Sequence, residues 1–572
     1  MTHIKMLHRF ASALLLASAV LAAPATASAA ANVFVLNASP AGVGFNDPTP
    51  AVPVGGNAGT TLGEQRLIAF QQAADRWGAM LDSNVPIYVY ASFEPLGANV
   101  LGAAIAWSVF SDFPGAPGFP GASIADTWYP SPLADKRAGE DLEPGMPDIY
   151  AVFSSDANWY LGLDANHGAQ TDLVTVVMHE LGHGLGFATY VDDTTGQNFA
   201  GQTDVFAQHT EDATTGVTFS NMATDAERAA AILKVDNLVW DGASVGAAVP
   251  YVLKLGRPEL NIATPSSIAG AYRIGTAGFG APLSGSGISG SVTLVNDGVG
   301  VPTDACTPLA AGSLSGTIAL VDRGSCTFVV KAANVQAAGA LAMIVANSAA
   351  GDPPPGLGGT DPTLTMTSVM ISRALGLGIK SALAGGPVQV TLGIDTTQRA
   401  GADPLDRAQL YATNPVQPGS SVSHYDSIAF SNQLMEPAIN GDLTHEVIPP
   451  FDMTLPLLRD IGWFPDANLD GRPDRGFAFG SCSTRVPNTQ LSNGAMLTDQ
   501  ARVWYRDCDA TSANHEQFES CVAKTTNAAK RSGLISGTQK GAIQKCAEDE
   551  REDDDHDGHG HHGHGPRGHG SR

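Results

Sequence analysis

The sequence predicts an α+β protein of several domains, in which a principal domain is interrupted by an α/β insertion and followed by a small cysteine-linked helical region. Three observations predict it. Residues 30–265 mix a long amphipathic helix with strand patterns. Residues 266–398 change to a Gly, Ser, Val and Ala composition with short strands around one helix. Four of the six cysteines gather after position 480. The chain has 572 residues, too many for one ordinary core. With 43% hydrophobic and 15% charged residues most of it should fold, and 64 Gly and 36 Pro favour turns and ordered loops over a helical bundle.

Residues 1–29 read as a secretory signal peptide. Lys5 and Arg9 precede the apolar run "ASALLLASAVLAA", and small residues near Ala27 and Ala29 offer cleavage sites. The run is too short to span a bilayer, and no other stretch is long enough. The expected destination is extracellular or periplasmic. The formal charge of −25 becomes more negative once Lys5 and Arg9 are removed. Such a surface repels nucleic acid and anionic membranes, which excludes them as partners. The six cysteines suit an oxidising compartment, and none precedes Cys306. The region before it must fold without disulfides and offers no upstream thiol to cap a metal. The protein is then either exported active or restrained by the insertion or an inhibitor.

In 30–265, "TLGEQRLIAFQQAADRWGAMLD" opens with a capping box, Thr61 and Glu64. Apolar residues follow at Leu67, Phe70, Ala74, Trp77 and Leu81, the spacing of a helix buried on one side. "VPIYVYASF" and "PDIYAVFSS" have the apolar, β-branched and aromatic character of strands. "TDLVTVVMHELGHGLGF" predicts a second helix with Thr171 or Asp172 as N-cap, stopping at Gly184 or Gly186. Within 266–398, "GTIALVDRG" and "AMIVAN" read as strands, "FVVKAANVQAAGA" as the helix between them and "GDPPPGLGGTDP" as a surface loop. Principal-domain character resumes over 399–464. Residues 465–547 hold an Asp-rich loop and the cysteine-containing helical region. Residues 548–572, acidic and then His–Gly-rich, have the composition of a disordered tail.

The chemistry concentrates in the second helix. His179, Glu180 and His183 spell H-E-x-x-H. Residues four apart on a helix share a face, so both imidazoles can grip one zinc ion with Glu180 beside them. Glu180 is the candidate general base toward water at the metal. Two histidines are insufficient, because a catalytic zinc usually takes three protein ligands. Thr189, where one form of the motif carries a third histidine, cannot supply it. Glu211, Glu227, Asp204 and His209 are candidates. A better one is His424 in "SVSHYDSIAFSNQLMEP", eleven residues before Met435.

"HELGHGLGF" followed, after a long insertion, by "SHYD" and "LMEP" resembles the leishmanolysin-like branch of the metzincin zinc peptidases. The resemblance covers roughly 32–265 and 400–463 and implies a metzincin-like fold with one catalytic zinc. His179, His183 and His424 would be its ligands, Met435 the methionine of the turn beneath the metal and Gly186 the glycine of the sharp turn after the helix. Cys306, "DRGSCTF", Lys331 and "AAGA" make the insertion resemble a protease-associated (PA) domain. That likeness implies a Cys306–Cys326 disulfide and a role in covering the cleft or engaging substrate. The implied activity is a secreted zinc metalloendopeptidase, a hydrolase acting on proteins or peptides. Since ligand histidines must be neutral, activity should fall below about pH 6.

Two further features bear on metals. "DANLDGRPD" spaces Asp466, Asn468, Asp470 and Asp474 around Gly471, a set of oxygens that suits calcium as well as a solvated turn. It is not an EF-hand, because Phe477 stands where the closing glutamate would be. The histidines between His556 and His569 can chelate metal loosely. Two other classes of function remain open on sequence: a secreted protein- or glycan-binding shell without turnover, and a metal-sequestering protein acting through its tail. Glu180 argues against the first. Pairing among Cys482, Cys508, Cys521 and Cys546 is open between three connectivities.

Overall fold

A computed structural model describes residues 30–97, 100–117, 119–464, 477–480, 482–484 and 486–549. The signal segment, the four acidic-loop positions Asp466, Asn468, Asp470 and Asp474, and the His–Gly tail lie outside the described residues.

The principal domain is built on strands β1 (Val33–Asn37), β2 (Ile87–Glu94), β3 (Gly102–Ala106) and β4 (Ile149–Ser154), in the order β1-β2-β4-β3. The first three neighbours run parallel, and β3 closes the edge antiparallel to β4 with Ala104 opposite Ala151. Helix α1 (Leu62–Met80) starts with the expected capping box, Thr61 and Glu64. Phe70, Ala73, Ala74 and Trp77 are fully buried, whereas Leu67 is 38% exposed. The buried arc centres near Trp77, and Leu67 lies roughly 80° around the helix from it, on the flank.

Helix α2 (Leu173–Gly184) carries H-E-x-x-H and is buried along its whole length. Its N-cap is Asp172, whose carboxylate accepts bonds from the Thr175 N–H and hydroxyl at 3.3 and 2.6 Å. Trp77 of α1 ties to it by donating from Nε1 to the Met178 carbonyl at 2.9 Å. A helix enclosed this way cannot be amphipathic. Each buried Leu or Val contributes about 1.5–3 kcal/mol of transfer free energy, which explains the nearly continuous apolar run "LVTVVM".

The insertion leaves and returns through a paired stem. Strands β5 (Leu255–Thr264) and β12 (Gln389–Arg399) are antiparallel, with Leu255 opposite Arg399. The Ala400 N–H reaches the Lys254 carbonyl at 3.1 Å. Leu255–Thr264, which the sequence grouped with the principal domain, is therefore hydrogen-bonded into the insertion's sheet. Between the stem strands come β6 (Gly270–Arg273), β7 (Gly275–Thr276), β8 (Ile288–Leu294), β9 (Ile318–Asp322), β10 (Ala342–Ala346) and β11 (Thr367–Ile371). The eight strands lie in the order β6-β5-β12-β8-β9-β10-β11-β7. The centre, β8 to β11, is parallel. Helices α3 (Phe328–Ala337) and α4 (Arg373–Leu383) serve opposite faces. Val335 joins the core of Ala319, Val321 and Met343, and Ile379 joins that of Ile318, Leu320 and Ile344. Burial on both faces is why "IALV" shows no alternation.

Cys306 and Cys326 are joined, as are Cys482–Cys546 and Cys508–Cys521, so all six cysteines pair. The last two link α5 (Leu497–Thr511), α6 (His515–Arg531), α7 (Gly537–Asp549) and the short strand at Cys482 around Phe477, Phe479 and Phe518. No helix among the described residues is long and apolar enough to cross a membrane.

Candidate metal centre

His179 and His183 stand one turn apart on α2, and His424 faces them from the segment that follows the insertion. The three imidazoles form the one group of His, Cys, Asp or Glu with metal-ligand proximity among the described residues. Each is less than a tenth exposed. Nε2 of His183 lies 3.2 Å from Nε2 of both His179 and His424.

The protons on these rings follow from the other nitrogens. Nδ1 of His179 meets the Leu434 carbonyl at 2.7 Å, Nδ1 of His183 the Phe187 carbonyl at 2.8 Å and Nδ1 of His424 the Ser420 carbonyl at 2.8 Å. A carbonyl only accepts, so each Nδ1 carries the hydrogen and each neutral ring turns a bare Nε2 lone pair inward. Three lone pairs then converge with no proton between them, which favours a cation at their centre. Tetrahedral zinc with nitrogens at 2.0–2.1 Å places those nitrogens about 3.3 Å apart. The donor set and spacing therefore fit zinc.

Burial holds the rings neutral. It lowers the imidazole of His179 to about 4 and that of His183 to about 3, the latter helped by the His179 charge. His424 is pushed down by burial and by both neighbouring histidines. The acid threshold expected near pH 6 from a free imidazole consequently moves lower. Glu180 shifts the other way, up to about 8, because burial disfavours its ionised form. Its carboxylate accepts a bond from the Ala104 N–H on β3. A positive charge among the imidazoles would favour the ionised form again.

Met435 lies directly under the helix. A Cβ added at Gly182 would sit 2.7 Å from the Met435 Sδ, so the glycine between the two histidines makes room for this floor. Tyr425 donates its N–H to the Met435 carbonyl at 2.8 Å, joining the third histidine's segment to the turn. Asp452 accepts the Leu434 N–H at 2.6 Å and so supports the residue whose carbonyl orients His179. Gly186 has φ +118°, and an added Cβ there would meet Ile461 at 2.7 Å. Helix α2 ends at Gly184, and the chain turns at Gly186 as its sequence position suggested.

The other candidates for the third position are engaged elsewhere. Glu211 pairs with Arg407, and Glu227 closes the capping box with Thr224. Asp204 accepts bonds from Thr189 and Tyr190, and His209 lies 2.9 Å from Asp241. Sequence reasoning missed three contributors. The first is β3, whose Ala104 holds Glu180 and whose weak "GAAIA" pattern is not recognisable as a strand. The second is His445, buried at 2.5 Å from the N-cap Asp172. The third is Asp452. No local signal marks the last two.

A family model for the PA domain matches residues 289–379, from β8 into α4. A second family model, described as SPBPB7E8-like, matches residues 60–223, from the capping box of α1 past the H-E-x-x-H helix. Vacuolar-sorting receptor 2 of Arabidopsis thaliana is 34% identical over 147 residues, 23% of this chain and 24% of the receptor. The chain thus spans about a quarter of that relative. Among solved structures, an aminopeptidase from Aneurinibacillus sp. strain AM-1 is 23% identical, with a TM-score of 0.19, over 25% of this chain and 31% of that one. BSAP, a zinc aminopeptidase from Bacillus subtilis, is 24% identical with a TM-score of 0.19 over 27% and 36%. Overlaps of that size carry no argument about the reaction. What the comparisons do establish is that the chain contains a PA domain, lying within the insertion.

Proposed function

We propose that this protein is a secreted zinc metalloendopeptidase of the leishmanolysin-like metzincin type. Its catalytic part would comprise residues 30–254 and 400–464, interrupted by the PA-containing insertion that the paired stem closes. His179, His183 and His424 are the zinc ligands, Glu180 is the general base, and Met435 forms the floor. The observation that carries this reading is the convergence of three unprotonated Nε2 atoms next to a buried glutamate.

When bound, zinc would act as a Lewis acid toward water and the substrate carbonyl. The chain's own groups do the rest. The three backbone carbonyls fix the ring tautomers and orientations. Glu180, held by the Ala104 N–H, accepts a proton from the attacking water and returns it to the leaving amine. Strand β3 is the edge of its sheet, so its outward backbone groups other than the Ala104 N–H can pair with an extended peptide. A peptide added along that edge can continue on both sides of the scissile bond, which favours internal cleavage.

The test is digestion of a peptide library read by mass spectrometry, with wild type and Glu180→Ala in parallel. Wild type should cut internal bonds. The variant should lose activity by about 10²–10⁴-fold, the usual worth of a positioned general base. If neither protein cuts although zinc is bound, the peptidase reading fails and a protein-binding role centred on the insertion replaces it.

A further inference from the structure

The third ligand arrives after the insertion, and the insertion reaches back to it. Arg273 lies at the end of the insertion's strand β6. One guanidinium nitrogen donates to Asp426 Oδ2 at 2.8 Å and to Asp236 Oδ1 at 2.6 Å. The other donates to Asp426 Oδ1 and, at 3.3 Å, to the Ser427 hydroxyl. Asp426 stands two residues after His424, with a fully buried side chain. Arg257, on the stem, completes the cluster by pairing with Asp236 at 2.5 Å.

This fork-on-carboxylate contact acts on a short, heavily restrained piece of backbone. His424 accepts the Tyr411 N–H through its carbonyl at 2.8 Å, Tyr425 is tied to Met435, and Asp426 donates to the Gln409 carbonyl at 2.9 Å. The Asp426 carboxylate also accepts the Ile428 N–H at 2.9 Å and so shapes the following turn. Of these anchors, Arg273 alone belongs to the insertion. Its bidentate geometry sets direction as well as distance, which a single-point contact does not. A buried carboxylate left without its partner is strongly unfavourable, so the pair cannot be opened cheaply.

We propose that Arg273 is a positioning residue for the metal centre: through Asp426, the docked insertion holds the His424 segment in the place where its imidazole completes the three-nitrogen site. The site's grip on zinc then depends on a domain that contributes no ligand. This rests on the zinc reading above, and the experiment separates the two.

The experiment uses the full mature chain as wild type and as Arg273→Met, Arg273→Lys, Arg257→Met and His424→Ala. It measures zinc release into a colorimetric chelator, the visible spectrum of the cobalt-substituted protein and the thermal midpoint. Arg273→Met should release zinc about tenfold faster or more, the usual scale for losing an outer support of a metal ligand, and should alter the cobalt spectrum. Arg273→Lys keeps the charge opposite Asp426 and should fall between Met and wild type. Arg257→Met, which does not touch Asp426, should match wild type. Wild-type release and spectrum in a folded Arg273→Met or, if that variant does not fold, in Arg273→Lys would overturn the proposal while leaving the zinc site intact. A wild type that binds no zinc, or a His424→Ala variant that holds zinc equally well, would overturn the zinc reading and this inference with it.

Discussion

Asp135 and Asp148 meet beside the start of β2, each buried and each with one backbone donor. The Leu142 N–H bonds Asp135 at 3.0 Å, and the Tyr88 N–H bonds Asp148 at 2.7 Å. Two carboxyl groups hydrogen-bonded to each other need one proton between them. Burial first, and then the bond to Asp148, raises Asp135 to about 8, and burial raises Asp148 as well. A carboxyl raised in the folded state contributes stability that is complete below its unfolded value near 4. That contribution is lost as the pH climbs through about 8. Asp135→Asn keeps a donor for Asp148 and removes the titration. Its thermal midpoint should exceed that of wild type at pH 8, with the difference shrinking toward pH 5, as scanning calorimetry across that range would show. A difference independent of pH would mean that the pair does not share a proton. The same logic of burial governs Glu180, but there a cation held by the neighbouring imidazoles would supply the compensating charge.

At the scale of elements, α2 and β3 make the site together. The helix supplies two imidazoles and the carboxylate, and the strand supplies the N–H that aims the carboxylate. Ala104 spends its N–H on Glu180 and not on the β4 ladder, so the outward side of this edge strand takes part in the site. Proline is tolerated on an edge strand where the N–H faces away from the ladder. Ala104→Pro should therefore leave far-UV circular dichroism and zinc content unchanged while lowering kcat by about tenfold or more, the lower range of general-base effects. An unchanged kcat would remove β3 from the catalytic account. The N-terminal end of α2 has its own support: Asp172 caps the helix and meets buried His445. The floor depends on Gly182, where any side chain would collide with Met435.

Over the whole molecule, the paired stem makes the long chain path intelligible. Lys254 and Ala400 are neighbours, so the insertion is a closed excursion and His424 returns to the body that holds His179 and His183. Arg273 and Arg257 then clamp the insertion to that body, and Asp352 pairs with Asn414 through two backbone bonds of 2.8 and 2.9 Å. The three histidines brought together among the described residues all precede the acidic and His–Gly-rich end, and Cys546 closes a disulfide before it. Truncation after Asp549 should therefore leave peptide cleavage, and zinc held after dialysis against a weak chelator, within about twofold of wild type. The twofold margin reflects the small effect expected from removing a segment whose acidic and His–Gly-rich composition offers no apolar side chains for a core. A large loss would favour the metal-sequestering role.

By itself the sequence determined what is local. The capping box of Thr61 and Glu64, the helix with H-E-x-x-H, the turn at Gly186 and the apolar strands of the insertion are legible because helix periodicity, caps and buried parallel strands leave their marks within a few residues. His424 and Met435 could be named only from a resemblance, since no spacing rule reaches across 241 residues. Leu67 stayed partly exposed because periodicity gives a face but not what covers its flank. The tertiary structure alone decided the convergence of three Nε2 atoms, the bond from Ala104 to Glu180, the two late disulfides, and the pairs Asp172–His445 and Arg273–Asp426. Apart from Cys508–Cys521, whose partners are 13 residues apart, each joins groups far apart in the chain. A contact of that kind depends on where packing brings the backbone, and a side chain's identity states only what it can bond, not what will be there to bond it.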